Sequence, residues 1–166
     1  MGERAMIRAS GLAMMLLIAA CSPQPRAAEF AGASLTGTAH PVSGLPVVSL
    51  SITGRDRRVH RFRVEVARSG AEQARGLMFR ETMGADEGML FPRDPPDLAS
   101  FWMRNTPLAL DILFIGRDRR IINIAAATVP FSDAPIRSAD FAAAVLELNA
   151  GRAAALGIEP GDKVDW

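Results

Sequence analysis

From residue 46 onward the apolar positions come in short bursts, most of them alternating with polar residues and separated by turns containing Gly, Pro or Asp. Alternation with a period of two sends successive side chains to opposite faces of a strand, so each burst predicts a β-strand. Pro46 to Thr53 is rich in β-branched residues and stops at Gly54. His60 to Val66 places His60, Phe62, Val64 and Val66 on one face and Arg61, Arg63 and Glu65 on the other. Together they predict an antiparallel hairpin turning at Gly54-Arg55-Asp56. A capping box, Ser69-Gly70-Ala71-Glu72, then opens a helix of about two turns that Gly76 ends.

Further on, Leu77 to Phe79 and Gly88 to Phe91 read as strands or a covering loop. In Leu110 to Ile115 both faces are apolar except for Asp111, the pattern of a strand covered on both sides. The turn Gly116 to Arg119 leads into Arg120 to Ala127 as a second hairpin, and residues 128–140, with Pro130 and Pro135, read as a loop. Ala144 to Leu148 is a strand, Gly151 to Leu156 a short helix, and Lys163 to Trp166 a last strand. The predicted fold is mainly β: a compact antiparallel sandwich or barrel with two short helices, over residues 46–166.

The first 45 residues do not fit that pattern. Arg4 and Arg8 precede an apolar stretch from Ala9 to Ala20, too short to span a bilayer and suited to a secretory signal. Its end, Ile18-Ala19-Ala20-Cys21, resembles the bacterial lipobox, which predicts cleavage after residue 20 and lipidation of Cys21. Cys21 is the single cysteine, so no disulfide competes for it. Ser22 after the cysteine points to the outer membrane rather than the inner, facing the periplasm. Residues 21–45, rich in Pro, Gly, Ala, Ser and Thr, read as a flexible tether, with His40 a solvated residue of it.

Composition narrows the chemistry. Nineteen Lys and Arg stand against eighteen Asp and Glu, the arginines are scattered, and there is no Tyr, which argues against a nucleic-acid partner. His60 is the only histidine in the predicted domain, so neither a Ser-His-Asp nor a Cys-His arrangement is available, and a histidine-based metal centre would lack ligands. No phosphate-binding glycine loop, calcium loop or cofactor motif is present. Carboxylates that could meet in three dimensions are Glu87, Asp111 and Glu147.

Six blocks carry a resemblance: Ala74 to Arg80, Gly88 to Phe91, Phe101 to Thr106, Leu110 to Ile115, Val145 to Leu148 with Ala150-Gly151, and Gly161-Asp162. In this order they resemble the uncharacterised family catalogued as domain of unknown function 192, from about Val47 to Trp166. The resemblance implies a β-sandwich or barrel of jelly-roll type and transfers no catalytic or binding residue.

The segment Phe101 to Gly116 holds Arg104, Asn105 and Asp111 in apolar surroundings. A buried Asp111 needs an Arg, backbone donors or an opening to water. Asp111, Arg80 and Glu147 are therefore candidates for a structural polar network. Trp102, Arg104, Asn105 and Arg75 are candidates for the wall of a pocket that meets an anionic or sugar-like ligand. The leading functional expectation is a membrane-tethered binding or interaction module of the cell envelope, engaging a small molecule or an envelope partner. The alternatives are a hydrolase-like enzyme acting through carboxylate and Arg residues, and an accessory protein of an envelope complex. Two carboxylates in one cleft would favour the enzyme; a single pocket of aromatic residues and Arg would favour binding.

Overall fold

A computed structural model describes residues 38–166. The predicted leader, Cys21 and the first part of the tether lie outside them. The elements run β1 (Val47–Thr53), β2 (Val59–Val66), α1 (Gly70–Arg75), β3 (Glu87–Asp97), β4 (Ser100–Phe101), β5 (Leu110–Ile115), β6 (Ile121–Ala125), β7 (Ile136–Arg137), β8 (Ala142–Asn149), α2 (Arg152–Leu156) and β9 (Lys163–Asp165). Seven strands form one sheet in the order β6-β5-β8-β3-β2-β1-β9, and β4 pairs with β7 in a small second sheet. The large sheet curls until its edges meet: the Val164 amide donates to Arg119 O at 2.7 Å and the Ile121 amide to Asp162 O at 3.0 Å. Curling and edge contact satisfy backbone groups that an open sheet would leave exposed.

The mainly β fold with two short helices is as the pattern predicts, with one departure from an antiparallel sheet. β2 and β3 pair in parallel, Arg63 opposite Glu87 through Val66 opposite Leu90. The chain between them carries α1, and a helix-bearing crossover is what returns a chain to a parallel position. The capping box forms as expected: the Ser69 hydroxyl accepts from the Glu72 amide, and the Glu72 carboxylate accepts from the Ser69 amide.

Both sheet faces are covered. Leu50, Ile52, Phe62, Val64, Leu90, Leu113 and Leu146 fill the interior of the curl, with α2 and Ile158 over one end. The outer face carries a second cluster, Met89, Phe91, Ile112, Phe114 and Val145, under Leu77, Ala99 and Met103 from the connecting segments. Each large side chain removed from water in this way contributes roughly 1.5–3 kcal/mol. A central strand in this arrangement has no solvent face, which is why β5 is buried at all six positions.

Candidate functional site

β8 runs through the middle of the sheet, and its alternation sends Ala144, Leu146 and Leu148 into the curl and Val145 to the outer face. Glu147 shares the outer face with Val145. Strand β3 approaches closely at Gly88, where an added Cβ would collide with Glu147 O and Leu148 Cδ2. The carboxyl is thus delivered by a central, rigid strand into a layer otherwise built of Met89, Phe91 and Ile112.

Glu147 is 5% exposed and its carboxyl accepts no hydrogen bond from the described residues. It lines a cavity of about 240 Å³ together with Arg75, Met78, Phe91, Arg93, Ser100, Phe101 and Trp102. Burial alone raises its pKa from 4.5 to about 8, since no nearby cation or donor offsets the loss of water. At neutral pH the group is a carboxylic acid that can donate as well as accept.

The polar groups around it are largely spoken for. The Gln73 amide donates to Pro92 O at 2.9 Å, and the Thr106 hydroxyl to Arg104 O at 3.2 Å. Arg93 forks onto Asp97, with Nη2 2.6 Å from Oδ2. That pairing holds the Asp97 carboxyl below its ordinary range. The Arg75 guanidinium, exposed at the end of α1, and the Ser100 hydroxyl have no partner among the described residues. Phe91 and Phe101 meet edge to face at 5.1 Å between centroids and supply an apolar wall.

The wall contributed by residues 76–80 is anchored. Gly76 ends α1 at φ 46°, with the Phe91 ring where a Cβ would need room. Arg80 donates to both oxygens of the buried Glu65, at 2.9 and 3.1 Å. Ser43 also donates to Glu65, and His40 Nε2 lies 3.6 Å away. His40, expected as a solvated tether residue, therefore sits against the domain. Glu65, assigned by alternation to the Arg61 and Arg63 face, is buried by this pairing. The Phe79 amide then donates to Asn105 O at 2.7 Å, tying the wall to the 102–106 turn. Phe79 and Phe131 hold left-handed backbone angles of 63° and 60° and keep exposed rings beside this turn. Bulky residues there are strained, and such strain gathers at functional loops.

The structure sorts the predicted site residues into three places. Trp102 and Arg75 line the cavity, and Glu147, placed by sequence with the structural network, joins them. Arg104 and Asn105 do not line it. β4 ends at Phe101, so residues 102–109 leave the strand; Arg104 lies over the Trp102 ring at 4.4 Å and pairs with Asp133 at 2.7 Å. Asn105 occupies a left-handed turn position with its amide toward Met78 Sδ. Asp111, fully buried, has no arginine: Oδ1 accepts from the Ala127 and Gly151 amides at 2.9 and 3.0 Å, and Oδ2 from the Ala153 amide at 3.0 Å. It caps the start of α2, whose own N-cap, Gly151, has no side chain to do so. Asp111, Arg80 and Glu147 form three separate arrangements. Among the described residues no group of three or more His, Cys, Asp or Glu is placed to hold a metal ion.

Phe91, Arg93 and Ser100 were not legible as cavity residues, because the pairing of β3 with β8 and of β4 with β7 brings them together over long sequence separations. Glu147 carried a signal: it is the single charge in Phe141 to Leu148, otherwise an unbroken apolar run.

Comparison with known proteins agrees with this architecture. A protein of unknown function from Novosphingobium aromaticivorans DSM 12444 is 57% identical, with a TM-score of 0.75 over 76% of this chain and 90% of its own. A protein named as a candidate transcription regulator, from Sinorhizobium meliloti 1021, is 39% identical, with a TM-score of 0.72 over 73% of this chain and 94% of its own. No curated protein matches the chain. The family model for domain of unknown function 192, described as an uncharacterized ACR, matches residues 51–166. The chain belongs to the domain of unknown function 192 family.

Proposed function

We propose that the mature protein is a lipid-anchored module of the cell envelope that binds a small molecule in the Glu147 cavity. One observation carries the reading: a carboxyl that is 5% exposed, without a protein donor, opens onto a cavity with aromatic walls. Burying such a group unpaired costs several kcal/mol, and a fold gains nothing from it that Leu or Met would not supply better. Groups retained at that cost are typical of binding and catalytic sites. Protein purified from its native host and sprayed intact should carry a small molecule that Glu147→Leu releases while the variant stays folded. Identical, ligand-free masses for both would count against the reading.

The anchor rests on the leader. Residues 1–20 are removed, Cys21 is acylated, and the chain after it tethers the domain, against which His40 and Ser43 already pack, at the outer membrane and facing the periplasm. Cells fed labelled fatty acid should label the wild type and not Cys21→Ala; an unlabelled wild type in the membrane fraction would remove the anchor from the account.

A hydrolase-like activity on envelope or carbohydrate-like substrates has one point in its favour, since an acid with a pKa of about 8 could donate a proton at neutral pH. Glycoside hydrolysis uses a pair of carboxylates, however, and among the described residues Glu147 is the sole carboxylate lining the cavity. Asp97 faces the adjoining groove and is held by Arg93. A cavity with aromatic walls and one carboxylate among the described residues favours binding. The regulator name of the Sinorhizobium meliloti protein is not extended to this chain, whose net charge of +1 supplies little of the basic excess that nucleic-acid binding draws on.

A further inference from the structure

We infer that the Glu147 cavity takes a zwitterion, a small molecule whose protonated amine meets Glu147 and whose anionic group meets Arg75. The inference rests on the binding role proposed above and adds the charge class of the ligand.

The cavity leaves two ionisable side chains open to a ligand. Of its lining side chains that can carry charge, Arg93 is neutralised by Asp97 through two hydrogen bonds, one of them 2.6 Å long. The two that remain have no partner among the described residues: Glu147 on the buried strand β8, which becomes anionic only on giving up its proton, and the cation Arg75 at the exposed end of α1. A ligand with only a positive group would leave Arg75 facing a like charge, and one with only a negative group would leave Glu147 a buried, protonated acid without a partner. A zwitterion answers both. Phe91 and Phe101 form the wall beside Glu147, and aromatic faces favour an ammonium group where water is excluded. Ser100, whose hydroxyl is uncommitted, supplies a third contact. A cavity of about 240 Å³ limits the ligand to a small one.

Binding of this kind moves a proton. Burial keeps Glu147 protonated at neutral pH. When the ammonium group arrives, the carboxyl gives its proton to solvent and the carboxylate–ammonium pair forms, so uptake of one ligand releases close to one proton at pH 7. The charged groups sharing the cavity are Arg75 from the end of α1 and Arg93 from β3; the facing residues Met89 and Ile112 on the strands flanking β8 are apolar. Affinity should therefore rise between pH 6 and pH 8, because Glu147 gives up its proton more readily there. A ligand held only by Arg75, or an uncharged sugar held by hydrogen bonds, would release no proton.

The test is calorimetric titration of the purified full chain with a panel of α-amino acids, their N-acetylated (anionic) and amidated (cationic) counterparts, and glucose. Measurements at pH 6, 7 and 8, in two buffers of different ionisation heat, count the protons released. The expected result is saturable binding of one or more zwitterions, with the N-acetylated forms weaker by about 30-fold or more, as loss of a desolvated charge pair produces, and the amidated forms weaker by about 3- to 5-fold, as loss of an exposed pair produces. Glu147→Gln should abolish proton release and weaken the zwitterion similarly, while Arg75→Gln should weaken the zwitterion and spare the amidated form. Glutamine keeps the shape and hydrogen-bonding capacity of the side chain, so a sugar site would survive that change. Tight binding of glucose or of an N-acetylated form, unaffected by pH, would overturn the zwitterion and leave the cavity's binding role standing. Absence of binding by every probe, with no molecule retained by protein from its native host, would overturn both.

Discussion

Asp111→Ala is expected to lower the free energy of unfolding by about 2–4 kcal/mol, the loss that follows when a buried charged acceptor of three backbone amides is removed and one of those amides is itself buried. Three backbone amides point at this one carboxylate, all at 2.9–3.0 Å, and the buried Ala153 amide is left without an acceptor once the side chain is gone. Two of them, Gly151 and Ala153, begin α2, so the helix that closes one end of the curl would lose the side-chain cap that Asp111 provides. The effect should be confined to stability, since Asp111 does not line the Glu147 cavity. Arg104→Ala is the control from the same sequence segment. Its partner, Asp133, is largely exposed, and exposed ion pairs contribute ~0–1 kcal/mol. The double variant should show the sum of the two single losses, because the side chains share no partner. Chemical denaturation of the four proteins measures this. A strong coupling between Asp111 and Arg104 would mean that the two pairings drawn above are incorrect.

The second large effect concerns pH. Glu147 has a carboxyl raised from 4.5 to about 8 in the folded protein. Below 4.5 it is protonated in both the folded and unfolded chain and makes no difference to stability with pH. Between 4.5 and 8 the unfolded chain ionises and the folded chain does not, so folding takes up a proton and stability falls as pH rises. At ~1.4 kcal/mol for each pH unit, the span from 4.5 to about 8 amounts to a decline of roughly 4–5 kcal/mol, flattening above pH 8. The other displaced carboxyls work outside this window. Backbone amides of the capping box hold Glu72 below its ordinary value, and Arg93 does the same for Asp97, so both lose their contributions at acid pH. Glu147→Gln removes the titrating group and should flatten the profile between pH 5 and pH 8. Urea midpoints collected across that range for the two proteins give the comparison. Parallel profiles would mean that Glu147 finds a donor and is ionised in the folded state.

The longer strands and both helices were legible because their signals are local, whereas the two-residue strands β4 and β7 were not, and β7 falls within residues 128–140, which read as a loop. β-branched residues and alternation mark β1 and β2, the capping box marks α1, and Gly157 after Leu156 marks the end of α2. The parallel pairing of β2 with β3 was not legible, because register between strands is set by packing of whole faces and by the crossover between them. The polar residues show the same division. That Asp111 would need donors follows from its apolar neighbours alone. Which donors it finds depends on β5 lying beside the β8–α2 turn, forty residues along the chain. Arg104 and Asp111 share one sequence segment yet face different surroundings, since the strand breaks after Phe101 and resumes at Leu110. Glu147 was visible as a lone charge in an apolar run. Sequence could not separate a carboxylate paired inside a network from one left open to a cavity, because that difference lies in Arg80 choosing Glu65.

That difference is also what the proposed function depends on, and the Glu147 carboxyl can report it directly. With glutamate labelled at its carboxyl carbon and Glu147→Gln used to assign the signal, the ligand-free protein can be titrated by NMR from pH 4 to pH 9.5. The account predicts a Glu147 midpoint near 8, far from the other glutamates. A midpoint in the ordinary carboxylate range, near 4.5, would show the group to be paired or hydrated and would contradict the Glu147 cavity as the binding site.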